Sequence, residues 1–139
     1  YLWAQLQGHQ TITNARMAAW NTYYKLLKPL ADMGLIELQA QIEGCTHNAH
    51  MFYIKTKDID ERSALIEHLK TKGIHAVFHY IPLHSAEAGK KYGYFKGEDK
   101  YTTSHSERLL RLPLYYGLKP VDCEIIAGEI YNFYKIKPL

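Results

Sequence analysis

The sequence predicts an α+β fold: a small three-stranded, mainly antiparallel sheet with helices packed on one face, preceded by a long N-terminal helix. Three observations carry this. Apolar residues recur at helical spacing through the first quarter of the chain. Short stretches alternate apolar and polar side chains as strands do. Further helical segments separate those stretches. A chain of 139 residues suits one structural unit, and a domain near this size buries roughly 70% of its unfolded surface. Hydrophobic residues make up 47% of it, enough to fill such a core and to exclude a disordered chain.

Tyr1 to Leu6, YLWAQL, reads as the end of a helix interrupted by Gly8. Beginning inside an apolar pattern marks the chain as a piece of a larger protein. A longer helix is expected from about Thr11 to Met33, where Ile12, Ala15, Ala19, Tyr23, Leu26, Leu27 and Leu30 recur at three- and four-residue steps. Thr11 or Thr13 is the expected N-cap, Gly34 the stop, and Pro29 a kink in the last turn. Residues 1–34 are thus expected to link to a missing large domain, and 35–139 to form the C-terminal α+β domain. Trp3, Trp20 and the first helix would face the missing part, so that this chain alone would self-associate through residues 1–33.

Residues 35–44 form a connector with a short extended piece. His50 to Lys57, HMFYIKTK, predicts a strand with Phe52 and Ile54 on one face and Met51, Tyr53 and Lys55 on the other. Asp58 to Lys72 predicts a helix capped by Asp60 and closed by Gly73, burying Leu65, Ile66 and Leu69. Ile74 to Tyr80 is a second strand. Residues 81–103 are rich in Gly and Lys and read as a long loop without clear period, a class that is often functional. Ser104 to Leu110 predicts a short helix. Leu112 and Leu114 would form a brief edge strand, where Pro113 is tolerated. Pro120 opens a last helix to about Lys135, with Val121, Ile125, Ile130 and Phe133 on one side.

Composition excludes several function classes. Net charge is +3, too balanced to imply nucleic acid. No stretch reaches the length of a membrane span. Cys45 and Cys123 form no zinc-like spacing and read as buried free thiols of a reducing cytoplasm. Lys90, Lys91, Lys96 and Lys100 alternate with Tyr92, Tyr94, Phe95 and Tyr101, but Glu98 and Asp99 dilute the patch, which reads as a solvated loop.

The stretch FHYIPLH, Phe78 to His84, has the densest chemistry. His75 and His79 share a strand face but lie roughly 13 Å apart at about 3.3 Å per residue, too far for one zinc ion. No metal site is expected. No G-x-S-x-G elbow surrounds Ser85 or Ser104, and Gly89, Gly93 and Gly97 make no phosphate loop. The residues alone support an α+β module with one polar, aromatic cleft loop.

A family resemblance enters at these residues. GIHAVFHYIPLH, then SERLLRLPLYYGLKP, resemble the C-terminal small domain of sugar-nucleotide aminotransferases, which are fold-type I pyridoxal-phosphate enzymes. NAHMFYIK and DIDERSALIEHL agree in the same order. The resemblance implies a homodimeric cytoplasmic enzyme that moves an amino group from glutamate to a dTDP-4-keto-6-deoxy sugar for enterobacterial common antigen, a cell-surface polysaccharide. It places pyridoxal phosphate and the Schiff-base lysine in a larger domain, so no catalytic or cofactor residue is expected here and the fragment is expected to be inactive. It makes His79, Tyr80, His84 and His50 substrate-binding residues, with Pro82 setting the turn. One departure stands: the family's usual proline three residues after the PLH histidine is Glu87 here, which leaves the course of that loop open. The alternative is a free-standing binding module for an anionic ligand through residues 81–103.

Overall fold

A computed structural model describes residues 1–137. In chain order the elements are α1 (Leu2–Gln7), α2 (His9–Asp32), β1 (Glu37–Leu38), β2 (Phe52–Lys55), α3 (Ile59–Thr71), β3 (Val77–Phe78), α4 (Glu87–Tyr92), α5 (Thr102–Arg108), β4 (Leu109–Leu112) and α6 (Pro120–Phe133). The α+β class is as expected. The sheet has a fourth strand, however, in the order β1-β2-β4-β3, with every pairing antiparallel. The extra strand is the short extended piece after Gly34, where Glu37 pairs with Lys55 and Leu38 with Ile54.

Alternation in β2 decides which face is buried. Phe52 and Ile54 are fully buried, and register sets them opposite Leu112 and Leu110 of β4, which are buried too. These four side chains meet Ala19, Tyr23, Leu27 and Leu30 of α2, Leu65 and Leu69 of α3, and Ile126 and Ile130 of α6 in one core. Helices therefore cover this face. Tyr53 and Arg111, paired across β2 and β4, point to the other face and are half-buried.

Several expectations are corrected. β4 is an interior strand paired with both β2 and β3, not an edge. It ends at Leu112, so Pro113, which has no N–H to donate, falls just outside the ladder. The helix α2 starts at His9 with Gly8 as N-cap and no side-chain cap, so neither Thr11 nor Thr13 caps it. The α1 turn leads straight into it, and Gly8 itself accepts from the Ile12 N–H at 3.1 Å. α2 continues through Pro29 to Asp32. In α6 the buried residues are Cys123, Ile126, Ala127, Ile130 and Tyr131, whereas Val121 and Ile125 are exposed. Apolar residues ring this helix, so periodicity alone did not select the inward side. Residues 81–103 are not all loop, since they hold α4 and the start of α5.

Trp20 is no surface residue. It is 2% exposed, donates from Nε1 to Gln39 Oε1 at 3.0 Å, and lies against Tyr24 and Phe52. Trp3, Leu2 and Leu6 of α1 are exposed. Cys45 is exposed, contrary to expectation, while Cys123 is buried and its thiol is pushed up to about 11, chiefly by burial.

Asp58, two residues before Asp60, caps α3. Its side chain accepts from the Glu61 N–H at 2.9 Å, while Asp60 and Glu61 sit in the first turn at the positive end of the dipole. Asp58→Ala should lower stability by about 0.5–2 kcal/mol. An unchanged midpoint in urea unfolding would contradict the cap.

Candidate functional site

The face of the sheet away from the helices carries the polar residues. In the register of β3 and β4, Val77 stands opposite Arg111. Since alternate residues share a face, His75 and His79 flank Val77 on the side of Arg111. Arg111 Nη1 lies 3.5 Å from His79 Nδ1. Burial and then the Arg111 charge lower the pKa of His79, which favours the neutral ring. With Nδ1 turned to a donor, the neutral tautomer carries its proton on Nε2, which is left to donate. The His79 ring packs on the exposed ring of Tyr80, with centroids 4.4 Å apart. The Tyr80 carbonyl is tied down by the Ser106 hydroxyl, which donates to it.

His50 lies two residues before β2. The preceding Ala49 is buried at φ 49°, a left-handed conformation rare for a residue with a Cβ. Arg16 of α2 holds that turn: its Nε donates to Ala49 O at 3.0 Å and its Nη2 donates to His50 O. The His50 N–H donates to Asn48 Oδ1 at 3.0 Å. Such a backbone costs of order 1–3 kcal/mol and persists where surroundings over-determine it. His50, His75 and Arg111 line a common cavity of about 300 Å³. Arg111 was not singled out in the sequence, and His75 was weighed there only as a metal ligand. The signal for Arg111 was its place between Leu110 and Leu112, both buried, which sets it on the outer face once the register is known.

His84 stands apart from this group. Its Nε2 is 2.9 Å from Asp99 Oδ2, and its ring lies on Phe95 with centroids 4.5 Å apart. Asp99 also accepts from the Thr102 N–H at 2.9 Å and from the Thr103 hydroxyl. The Thr103 contacts, led by its hydroxyl, hold the Asp99 carboxyl below its ordinary range. His84 thus ties the Pro82 turn to the start of α5. Glu87, the departure from the family pattern, is the first residue of α4, with Ala86 as its N-cap. Proline is favoured at that position by its fixed φ, and an acid suits it through the helix dipole, so the substitution preserves a helix start. Two of the loop lysines find partners nearby: Lys100 pairs with Glu98 at 3.6 Å and Lys91 lies over Tyr92 at 5.1 Å. Among the described residues no three His, Cys, Asp or Glu side chains gather to hold a metal ion. No described helix is long and apolar enough to cross a membrane.

A family profile, that of the DegT/DnrJ/EryC1/StrS aminotransferases, matches residues 1–131. The chain belongs to the DegT/DnrJ/EryC1/StrS aminotransferase family. Its similarity to a pleiotropic regulatory protein of Geobacillus stearothermophilus is 27% identity over 115 residues, 82% of this chain and 30% of that protein. A solved member from Brucella abortus is 26% identical with a TM-score of 0.79, over 95% of this chain and 34% of that one. NtdA from Bacillus subtilis, solved with bound cofactor PMP, shares the fold at 22% identity and a TM-score of 0.71, over 89% of this chain and 29% of that one. The chain therefore spans about a third of the length of these proteins it matches.

The fold test for a B6 cofactor is whether this chain offers a lysine and a phosphate cradle of its own. Among the described residues every lysine is exposed except Lys55, which is half-buried, and its ammonium is held by Glu37. Glu37 is held below the usual carboxylate range by hydrogen bonds from Lys55 first and Arg108 second. The residues present do not fit the cofactor's cradle.

Proposed function

We propose that this chain is the C-terminal small domain of a pyridoxal-phosphate-dependent sugar-nucleotide aminotransferase, with residues 1–34 leading in from the larger domain and residues 35–139 forming the small domain. The observation that carries the reading is the family match over residues 1–131, combined with a polar wall in which His79 meets Arg111 and packs on Tyr80 while Arg111 and His50 line one recess. The PMP bound in the Bacillus subtilis relative is the amine form of that cofactor and supports its use here. The larger domain would hold the cofactor and its lysine, and the cofactor would supply the electron sink for moving the amino group. This chain's residues bind and orient. His79 donates from Nε2, Tyr80 offers a ring face and a hydroxyl, and His50 reaches from a fixed turn. His84 binds at the edge of the cleft, or acts through the loop it pins to Asp99.

Resemblance to bacterial dTDP-4-amino-4,6-dideoxygalactose transaminases supports the finer reading: a dTDP-4-keto-6-deoxy sugar as acceptor, glutamate as donor, a cytoplasmic homodimer, and a place in enterobacterial common antigen synthesis. The exposed Leu2, Trp3 and Leu6 of α1 form the surface through which this chain would meet the larger domain, or a second copy of itself. The test uses the complete reading frame. Purified enzyme should aminate dTDP-4-keto-6-deoxyglucose with glutamate. His79→Ala should lower kcat/KM about tenfold or more, the loss of one hydrogen bond to a charged group, with cofactor absorbance unchanged. No amino transfer in the wild type would refute the substrate reading. Wild-type kinetics in His79→Ala would refute the assigned wall.

A further inference from the structure

The cavity beside Arg111 asks for a ligand that no described residue supplies. Arg111 is half-buried on an interior strand, between Tyr53 on one side and Val77 on the other. Among the described residues no carboxylate comes within 4.0 Å of its guanidinium, whereas Arg108, also half-buried, pairs with Glu37. A guanidinium is always charged, and withdrawing it from water is costly unless an anion answers it. Its one side-chain partner among the described residues is a histidine at 3.5 Å, at the long end of a hydrogen bond.

The surroundings have one electrostatic sense. His50 and His75 share the cavity of about 300 Å³ with Arg111, and none of its lining residues is acidic. The rest of the lining is apolar or backbone, including Met51, Val77 and Pro113. A cation would be repelled by Arg111. A nucleic-acid backbone would need a stripe of basic residues, where this cavity offers a single recess. The planar fork of an arginine matches two oxygens of a carboxylate or a phosphate. The backbone of His50 is held by its clamped turn, which limits the order that has to be acquired on binding to the side chain.

We propose that Arg111, with His50 and His75, forms a binding site for an oxyanion group, carboxylate or phosphate, in the recess on the helix-free face of the sheet. The site stands on this geometry alone. If the aminotransferase reading holds, the recess supplies an anion contact to the acceptor's phosphates or to the donor's carboxylate. It differs from an anion site in the 81–103 loop, whose lysines are not part of it.

The test is an NMR titration of the 139-residue chain at constant ionic strength, with glutarate in one arm and inorganic pyrophosphate in the other. Expected is a saturable shift of the Arg111 Nε–H signal and of the His50 and His75 ring signals with at least one probe. Response to glutarate alone identifies a carboxylate site, response to pyrophosphate alone a phosphate site, and response to both a general oxyanion site. Arg111→Gln should weaken that binding about tenfold or more, and Arg111→Lys should weaken it by less, since it keeps charge and loses the fork. Lys90→Gln should leave it unchanged. The Arg111→Lys variant decides the matter if Arg111→Gln fails to fold. The proposal is overturned if neither probe gives a saturable shift, if Arg111→Lys binds as the wild type does, or if Lys90→Gln abolishes binding. No cofactor and no turnover enter this experiment, so its failure would leave the family reading untouched, and absent transaminase activity would leave this site untouched.

Discussion

Titrated with pyridoxal phosphate, the 139-residue chain should develop no saturable aldimine band and should transfer no amino group from glutamate. Aldimine chemistry needs one lysine desolvated or charge-activated in a pocket that also anchors the phosphate and the ring nitrogen. The described lysines are on the surface, where an ammonium is strongly hydrated, and half-buried Lys55 is engaged by Glu37. Scattered, weak absorbance that grows linearly with added cofactor is the expected trace. One-to-one binding that disappears on changing a single lysine, together with amino transfer, would place the active centre within this chain and overturn the small-domain reading.

Gly89→Ala should dislodge the segment that presents His84. A Cβ at this position would fall 1.6 Å from Leu83 O and 2.7 Å from Leu83 C. Both atoms are backbone, so no side-chain rotation relieves the overlap. The turn they belong to is itself closed, with the Ser85 and Ala86 N–H groups both donating to Pro82 O at 3.0 Å. Either α4 must move off the turn or the turn must open. The cost is that of overpacking, about 1–3 kcal/mol, drawn from a peripheral unit with no fully buried side chain in α4 or α5. Local opening is then favoured over global unfolding. Hydrogen exchange should accelerate by tenfold or more from residues 85 to 105 while Ile54 and Leu110 stay protected. Unchanged exchange at those peripheral amides would show that the contact between α4 and the Leu83 turn is absent in solution.

The layout of the core was legible because its signals are local. Strict alternation in FYIK marks which side chains of β2 go inward, whatever the strand pairs with. The three- and four-residue steps of Ala19, Tyr23, Leu27 and Leu30 mark one face of α2. Where local signals conflict, the reading failed. α6 is apolar nearly all round, so the choice of Ile126 over Ile125 as the inward residue depends on α2 and α3, against which it packs. Trp20 looked like a contact for another domain because nothing in its neighbours announces Gln39, nineteen residues on, as the acceptor for its indole N–H.

The site divides in the same way. FHYIPLH, by itself, identified His79 and Tyr80 as neighbours on a strand end, and chain order was enough for that. It could not place Arg111 between His75 and His79, because that depends on antiparallel register across residues 77 and 111. Nor could it separate His84 from the other histidines. The partner of His84 is Asp99, which read in sequence as a charge diluting a basic loop and acts in the fold as the acceptor that ties two turns together. Residue type and period, being properties of consecutive positions, determined most of the elements, and the resemblance of whole motifs pointed to the family. Pairing across tens of residues, closed by burial and by hydrogen bonds that exist only once the sheet has formed, decided which of those residues share a recess and which hold a loop.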